Sequence, residues 1–231
     1  MTRRWFITGT DTGVGKTRVA AGLLRSLADA GWRTTAYKPV ASGCLPGGDG
    51  LRNEDALVLS DAATVAAPYD LVNPVALAPA IAPHLAAAEV NLRLEADALA
   101  AGADRLPPAD ALIIEGAGGW RVPLSTTETM ADLALALQAP VILVVGIQLG
   151  CLNHALLSAE AIERDGAVCA GWVANVLEPE PERAEDQIAS LEQRLRAPLL
   201  GRVPWLSRPE PDRVAACLNG EAWLRQADSG G

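Results

Sequence analysis

Short apolar runs alternate along the chain with longer stretches in which apolar residues recur every three or four positions. The runs favour strands, and they occupy positions 5–8, 34–38, 111–115, 141–146, 168–175 and 199–203. The longer stretches have the spacing of helices that bury one face, and they cover positions 18–30, 155–164 and 182–195. Strands that alternate with helices form crossover connections. The pattern therefore predicts an α/β fold with a mainly parallel sheet and helices on both faces.

The region between positions 41 and 108 is less regular than the rest of the chain. Prolines and glycines interrupt it often enough to exclude a long helix, and we expect loops and short helices over one edge of the sheet. One helix is predicted over 91–102, where the sequence is free of proline and rich in alanine. Because no linker is evident, residues 1–231 are predicted to form a single domain, with a frayed polar tail over about 225–231.

The charge balance is acidic, since 19 Lys and Arg oppose 28 Asp and Glu for a formal net charge of −9. Such a chain lacks the positive field that attracts nucleic acids or anionic membrane surfaces. The longest strongly apolar run, 140–146, is too short to cross a bilayer, and the first residues do not resemble a signal peptide. We therefore expect a cytoplasmic protein whose four cysteines are free thiols rather than zinc ligands or disulfides.

The first predicted strand leads directly into a glycine-rich loop, and a predicted helix follows. The loop reads Gly9-Thr10-Asp11-Thr12-Gly13-Val14-Gly15-Lys16-Thr17, which is the order of a phosphate-binding P-loop. Glycines let backbone N–H groups turn towards phosphates, the lysine supplies a charge, and the threonine hydroxyl suits Mg²⁺. The loop departs from the usual pattern at Thr10, because the first glycine lies one place earlier. The alternative interpretation is an ordinary turn with a surface lysine.

A carboxylate ends the predicted strand over 111–115. Glu115 is followed by the glycine-rich Gly116-Ala117-Gly118-Gly119, and the carboxyl ends of parallel strands are where such folds bind ligands. Glu115 therefore occupies the place of the acid that holds the metal in P-loop enzymes. Asp55 is a second metal candidate, although spacing alone does not separate it from Glu54 or Asp61.

Only two lysines occur among the 19 basic residues, and all the others are arginine. One is Lys16 of the loop. The other, Lys38, ends the second predicted strand, in the block Lys38-Pro39-Val40-Ala41-Ser42-Gly43. A lone lysine is usually a solvated surface residue, but the surface of this chain otherwise uses arginine. A compact ammonium at the ligand-binding edge of the sheet can neutralise a phosphoryl group or a carboxylate-like substrate.

Five motifs together resemble those of the dethiobiotin synthetases. They are the glycine-rich loop, the blocks 38–43 and 115–119, Gly150-Cys151-Leu152-Asn153-His154, and Pro204-Trp205-Leu206. The resemblance extends from position 5 to about position 206, and it is weakest over 44–51 and after 208. A P-loop alone is generic, whereas the lysine-proline-valine block and the glycine-x-x-asparagine-histidine block are specific to the family.

This resemblance implies a P-loop NTPase-like fold and a ligase of biotin biosynthesis. The implied enzyme uses ATP, Mg²⁺ and CO₂ to close the ureido ring of 7,8-diaminononanoate, and it releases dethiobiotin, ADP and phosphate. The implied steps are formation of a carbamate, its phosphorylation to a carbamic-phosphoric anhydride, and attack by the neighbouring amine. Because a negative carbamate must approach a negative γ-phosphate, such a site needs cations and alignment more than acid–base groups.

The resemblance also assigns roles to individual residues. Lys38 and Lys16 would be catalytic, and Mg²⁺ would be held by Thr17, Asp55 and Glu115. The substrate would contact Thr12, Lys38, Ser42, Gly118, Leu152 and Asn153. The nucleotide would contact Gly13, Val14, Gly15, Lys16, Thr17, Arg18, Glu115, Gly116, Ala117, Gly118, Asn175, Val176, Pro204, Trp205, Leu206 and Glu210.

In this family the loop that corresponds to Leu152 and Asn153 reaches the site across a subunit interface, so a homodimer is implied. Some relatives carry an acidic residue where this chain has Gly13, and any role of that side chain is absent or moved here. Asn153 also suits the cap of the helix that follows, and Trp205 also suits packing in the core. His84 is a lone histidine and is left out of the site.

Two other functions explain part of the sequence. Another P-loop kinase or synthetase would account for the glycine-rich loop and Glu115, but it would not require Lys38 in its setting, and no arginine-rich lid is evident. A nucleotide-switched binding protein belongs to a different class. Against it, Asn175 precedes Val-Leu-Glu rather than the guanine-reading Lys-x-Asp, and Thr10 stands where partitioning ATPases carry an additional lysine.

Overall fold

The computed structural model describes residues 2–180 and 182–219. The strands are β1 (Arg3–Gly9), β2 (Thr34–Tyr37), β3 (Val40–Ala41), β4 (Leu45–Gly47), β5 (Gly50–Arg52), β6 (Val75–Ala76), β7 (Ala111–Gly119), β8 (Val141–Ile147), β9 (Cys169–Val176) and β10 (Leu199–Val203). The α-helices are α1 (Lys16–Asp29), α2 (Glu54–Ala62), α3 (Tyr69–Val72), α4 (Pro83–Glu89), α5 (Ala96–Gly102), α6 (Met130–Ala136), α7 (Cys151–Arg164), α8 (Ala184–Glu192) and α9 (Pro211–Ala215). The tail predicted to fray lies outside the described residues.

Six strands form a central sheet in the order β10-β9-β8-β1-β7-β2, and all their pairings are parallel. The predicted α/β class with a mainly parallel sheet is confirmed. β1 and β2 follow each other in sequence, but β7 lies between them. The loop after β1, the carboxyl half of β7 and the segment after β2 therefore meet at one edge of the sheet. This arrangement places Glu115 of β7 between the two lysines.

The central strands are buried on both faces, as their unbroken apolar sequences predict. On β7, Ile113 packs in one hydrophobic cluster, whereas Leu112 and Ile114 pack in the other, because successive side chains point to opposite faces of a sheet. The first cluster includes Leu23 and Leu27 of α1, which cover one face with their apolar stripe. The two covered faces hold the strand ends, and with them the site residues, in fixed positions.

The insertion between β2 and β7 is more structured than predicted. It contains the short helices that the sequence indicated, but also two small sheets, a parallel pair β3-β6 and an antiparallel pair β4-β5. The predicted helix over 91–102 begins only at Ala96. Asn91 has a φ of 52°, the left-handed conformation that ends α4 and prevents residues 91–95 from continuing as a helix.

Two further differences concern helix ends. Asn153 was expected to suit the cap of the following helix, and this is wrong, because α7 begins at Cys151 and its N-cap is Gly150, with a φ of 94°. Helix α6 was not predicted. It starts at a capping box in which the backbone N–H of Thr129 donates to the Asp132 carboxylate at 2.7 Å, a signal visible in the sequence.

Two smaller features concern the cysteines and the helices. All four cysteines are free thiols in the structure. Among the described residues, no helix combines the length and apolar character needed to span a bilayer.

Candidate functional site

The loop between β1 and α1 has the shape of a phosphate cradle. Gly15, its last residue, has a φ of 88°, and a Cβ there would lie 2.2 Å from Nδ2 of Asn175. Asn175 is 1 % exposed and donates from Nδ2 to the carbonyl oxygen of Val14 at 2.8 Å. The loop therefore rests on a buried amide that only a glycine can approach so closely. The first turn of α1 follows at once, and its unpaired N–H groups favour an anion there.

Lys16, the first residue of α1, lies in the cavity beside this loop. Its Nζ donates to the carbonyl oxygen of Asp11 at 2.9 Å, which folds the side chain back over the loop. Burial lowers the pKa of Lys16 to about 8, and the charge of Lys38 acts in the same direction, although Glu115 opposes both. A charge made costly by burial gains most from an anionic ligand, so Lys16 is placed to bind phosphate oxygens.

Lys38 forms the centre of a buried ionic cluster. Its Nζ donates to Oε1 of Glu115 at 2.6 Å and to Oδ2 of Asp55 at 3.2 Å, and its side chain is only 4 % exposed. Burial alone would lower the pKa of Lys38, but the charges of Glu115 and Asp55 outweigh it and raise that pKa above its ordinary value. Lys38 is therefore cationic, and it is not the solvated surface lysine that was the ordinary interpretation.

Glu115 has one oxygen that the described residues leave without a partner. Oε1 accepts hydrogen bonds from Lys38 and from Oγ1 of Thr17, the latter at 3.0 Å, whereas Oε2 is buried and unsatisfied. Burial raises the pKa of Glu115, although Lys38 opposes it. An unsatisfied buried carboxylate oxygen beside a threonine hydroxyl is a suitable pair of ligands for Mg²⁺.

The first turn of α2 supplies the second carboxylate. Asn53 caps this helix, its side chain accepting from the N–H of Ala56 at 3.2 Å, and the cap directs Asp55 towards Lys38. Burial opposes ionisation of Asp55, but Lys38 and Thr17 hold the pKa of that carboxyl below its usual value. Glu54 lines the same cavity, whereas Asp61 near the other end of α2 does not. Position thus separates Asp55 from Asp61, and the bond to Lys38 distinguishes Asp55 from Glu54.

A cavity of about 840 Å³ opens above this cluster. The predicted site residues that line it are Thr12, Gly13, Gly15, Lys16, Thr17, Arg18, Lys38, Ser42, Asp55, Glu115, Ala117 and Gly118. The Ser42 hydroxyl is buried and has no hydrogen-bond partner within the described part of the chain. The volume suits a nucleotide phosphate group and a small substrate together.

Other predicted site residues lie outside this cavity. Leu152 and Asn153 are in the first turn of α7 and do not line it, and Asn153 is exposed. The remaining members of this group are Val14, Gly116, Asn175, Val176, Pro204, Trp205, Leu206 and Glu210. Trp205 is 41 % exposed, which argues against the alternative that it packs in the core. Pro209 does line the cavity, so the segment after β10 reaches its rim.

Several cavity residues were not identified from the sequence. They are Ala21, Asn53, Val58, Ala80, Ile81, Ala82, Pro83, Val122 and Pro209. Asn53 had a recognisable signal, because an asparagine before Glu54 and Asp55 is a typical helix start. The start of α4 had none, since its position over the cavity comes from long-range contacts of the preceding segment, such as the bond from the N–H of Gly43 to the carbonyl oxygen of Pro79 at 3.0 Å.

Comparisons with known proteins agree with this geometry. A family model described as an AAA domain matches residues 3–213. The ATP-dependent dethiobiotin synthetase BioD of Pseudomonas aeruginosa is 55 % identical over 217 residues, which cover 93 % of this chain and 95 % of the relative. The protein of the same name from Cellvibrio japonicus is 52 % identical over 218 residues, covering 94 % and 96 % of the two chains.

Solved structures with a similar fold are much more distant in sequence. A ParA family ATPase from Chlorobium tepidum superposes with a TM-score of 0.52 at 15 % identity, covering 99 % of this chain and 98 % of that one. The septum site-determining protein MinD from Pyrococcus horikoshii, complexed with Mg-ADP, has a TM-score of 0.51 at 18 % identity, with coverages of 99 % and 96 %. These similarities establish a P-loop NTPase-like fold.

The buried ion pair between Lys38 and Glu115 should affect the stability of the fold. Lys38→Met removes the ammonium and leaves the Glu115 carboxylate buried without its partner, so we expect the free energy of unfolding to fall by about 3 kcal/mol. Adding Glu115→Gln removes the uncompensated charge and should restore most of that loss. Urea unfolding without nucleotide or metal measures both. The matched control is Arg196→Met, which breaks an exposed pair with Glu163 and should change stability far less. Equal stability of Lys38→Met and wild type would contradict the buried pair.

Proposed function

Because the chain belongs to the family of ATP-dependent dethiobiotin synthetases, and is thus a ligase that forms dethiobiotin, we propose that the cavity above Glu115 is where the ring closes. Two buried ammonium groups at the same edge of the sheet support this proposal. Lys16 lies beside the phosphate loop, and Lys38 lies across Glu115 from it. Two fixed cations in a cavity of this size suit a reaction between two anions.

The phosphate groups of ATP would occupy the loop and the first turn of α1. Backbone N–H groups of Gly13, Gly15 and the start of α1 would bind the phosphate oxygens, and Lys16 would neutralise the outer ones. The base would lie towards the segment after β10, where Trp205 is exposed and Pro209 reaches the cavity. Asn175 and Val176 would contribute there from the end of β9, and Arg18, Leu206 and Glu210 complete this proposed contact set.

The diamine would lie on the other side of the γ-phosphate, beneath Lys38. Thr12 and the buried hydroxyl of Ser42 line this part of the cavity, and both can bond to the amine or to the carbamate. The Lys38 ammonium would hold the carbamate oxygen in line with the γ-phosphorus. This placement reduces the repulsion between carbamate and phosphate, and it lowers the entropic cost of bringing them together.

Ring closure would follow in the same position. The carbamate oxygen attacks the γ-phosphorus, and ADP leaves with the electron pair of the broken bond. The neighbouring amine then attacks the carbamoyl carbon of the mixed anhydride. A C–N bond forms as the C–O bond to phosphate breaks, and the phosphate departs with the proton that the amine loses. Lys16 and Lys38 would stabilise the charge that develops on ADP and on the departing phosphate, respectively.

The residues also fit a bound Mg²⁺. Thr17, Asp55 and Glu115 would hold it, since they supply a hydroxyl and two carboxylates, and Oε2 of Glu115 has no partner in the described part of the chain. The described ranges 2–180 and 182–219 contain no cluster of three His, Cys, Asp or Glu suited to a metal. That is compatible with Mg²⁺, which usually takes one or two carboxylates together with substrate phosphates. When bound, the ion would neutralise phosphate charge.

The carboxylate tail of the substrate needs partners beyond the cavity. We propose that they come from Gly118 and, across a homodimer interface, from Leu152 and Asn153 of a second copy. The start of α7 supports this arrangement, because Leu149 is 98 % exposed and Leu157 is 57 % exposed. Asn153 and Leu157 are four residues apart and so share one face of α7. Apolar residues exposed beside a predicted substrate contact are expected at a subunit interface.

We further propose a cytoplasmic location, since the enzyme depends on ATP and the chain carries a net charge of −9. The acidic surface makes nucleic-acid and membrane partners unfavourable.

The reaction itself is tested by the requirements for ADP release. We expect release only when bicarbonate and 7,8-diaminononanoate are both present, because the phosphoryl acceptor is the carbamate that they form. ADP is measured by a coupled assay, with hexanoate plus methylamine as an unrelated acceptor mixture. Release at the same rate with that mixture, or without bicarbonate, would contradict the proposed acceptor and favour another P-loop kinase.

The proposed interface is tested by mass and kinetics together. Light scattering at assay concentration should give a dimer, and Leu149→Asp with Leu157→Asp should give a monomer, since two charges would then be buried against a partner. The KM for the diamine should rise at least fivefold. Val90→Asp is the matched control, because it places a charge on another exposed apolar residue, and it should remain dimeric. A fully active monomer would contradict the cross-subunit contact.

A further inference from the structure

The backbone of Lys38 lies just beyond the support of the sheet. Among the described residues β2 is an edge strand that pairs only with β7, and Tyr37 with Ile114 is the last pair of that ladder. The next residue after Lys38 is Pro39, which has no backbone N–H to donate. Sheet hydrogen bonds therefore do not fix the peptide groups on either side of Lys38, and another element has to do so.

The end of α3 provides that support on both sides. The N–H of Lys38 donates to the carbonyl oxygen of Val72 at 2.7 Å, and the carbonyl oxygen of Lys38 accepts from Nδ2 of Asn73 at 2.7 Å. Asn73 is 2 % exposed, and its Nδ2 also lies 3.3 Å from the carbonyl oxygen of Val75. Two carbonyl neighbours fix the orientation of the amide, so its Oδ1 must face the other way.

A tyrosine continues the chain of bonds to the helix that carries Asp55. The hydroxyl of Tyr69 donates to Oδ1 of Asn73 at 3.0 Å and accepts the backbone N–H of Asn53 at 2.7 Å. Tyr69 and Asn73 are four residues apart and share one face of α3. Asn53 is the N-cap of α2, and Nδ2 of the same residue approaches the carbonyl oxygen of Ser42 at 3.5 Å.

These contacts close a ring. From the Lys38 carbonyl it passes through Asn73, Tyr69 and Asn53 to the start of α2, and it returns through Asp55 to the Lys38 ammonium. We infer that Tyr69 and Asn73 are positioning residues that set the separation of Lys38 from Asp55, and thereby the place of both at the γ-phosphate. The inference rests on the proposed roles of Lys38 and Asp55 in the reaction.

The ring gives Tyr69 a role beyond stabilising the fold. The aromatic side chain of Tyr69 stacks under Arg52, with the guanidinium carbon 4.2 Å from the centre of the aromatic ring. This packing is independent of the hydroxyl. Removing only the hydroxyl leaves the Asn53 N–H without its acceptor and Oδ1 of Asn73 without its donor. The start of α2 and the Lys38 peptide can then move relative to each other, and small displacements of reacting groups are costly to the rate.

Tyr69→Phe tests this directly, and Tyr37→Phe is a closely matched control. These are the only two tyrosines in the chain, and Tyr37 also has a short hydroxyl bond, 2.7 Å to the carbonyl oxygen of Leu99. Tyr37 directly precedes Lys38, but its hydroxyl contacts α5 and not the ring. We expect both variants to melt at lower temperature, whereas only Tyr69→Phe should lose kcat, by about tenfold.

A binding measurement supplies a readout that does not depend on turnover. Calorimetry of ATP with and without Mg²⁺ should show that Mg²⁺ strengthens binding less in Tyr69→Phe than in wild type or Tyr37→Phe, because Asp55 is displaced. Binding of ATP without metal should be unchanged. If Tyr69→Phe matches Tyr37→Phe in kcat and in the Mg²⁺ effect, the hydroxyl is merely structural and the inference is wrong. If the wild-type enzyme releases ADP without the diamine, the proposed function is wrong. The effect of Mg²⁺ on ATP binding would still show whether Tyr69 positions Asp55.

A double-variant comparison tests whether the two residues act through one chain of bonds. Asn73→Ala should lower kcat at least as much as Tyr69→Phe, and the double variant should be no slower than Asn73→Ala alone. Multiplied losses in the double variant would contradict a single chain of bonds. Should Asn73→Ala not fold, Tyr69→Phe decides alone, because it keeps the ring and its stacking with Arg52.

Discussion

The ionic contact between Lys38 and Glu115 is the interaction on which the site depends. Both side chains are almost fully buried, and neither charge would be tolerated there without the other. Their meeting requires that β7 lies between β1 and β2, because only that strand order brings Glu115 between the two lysines. The pair also bonds to two neighbouring residues. Thr17 donates to Oε1 of Glu115, and Oδ2 of Asp55 accepts a hydrogen bond from the ammonium of Lys38.

The same sheet edge explains how a common fold supports a particular reaction. The strand, loop and first helix form a phosphate site of general use, and the solved structures with this fold share little sequence with the chain. Lys38 and the block that follows it distinguish the present site, because they add a second fixed cation where a carboxylate-like acceptor would lie. Helices α2 and α3 are part of the site. Helix α2 holds Asp55, and the end of α3 holds the backbone of Lys38, which the edge of the sheet does not support.

Much of this site was predictable from local sequence, and the limits have physical causes. Lys16 and Thr17 were identified from the order of strand, glycine-rich loop and helix, and Glu115 from its place at the carboxyl end of a parallel strand. Neither rule needs tertiary detail. Asp55 could not be separated from Asp61 by spacing, since the direction of α2 is set by its cap. The contact of Asn73 with Lys38 spans 35 residues and follows no periodic pattern. Asn153 was misjudged as a cap because Gly150 takes the left-handed conformation first. The assigned roles of the site residues remain predictions.

We propose that Lys38 acts as a compact cation on the transferring phosphoryl group. The turnover of Lys38→Arg tests this role, because arginine keeps the charge but replaces the ammonium with a wide planar group that does not fit the same position. We expect kcat to fall at least tenfold, while the exposed substitution Arg196→Lys leaves it unchanged. A near-normal kcat for Lys38→Arg would show that Lys38 contributes charge balance to Glu115 only, and it would contradict the claim.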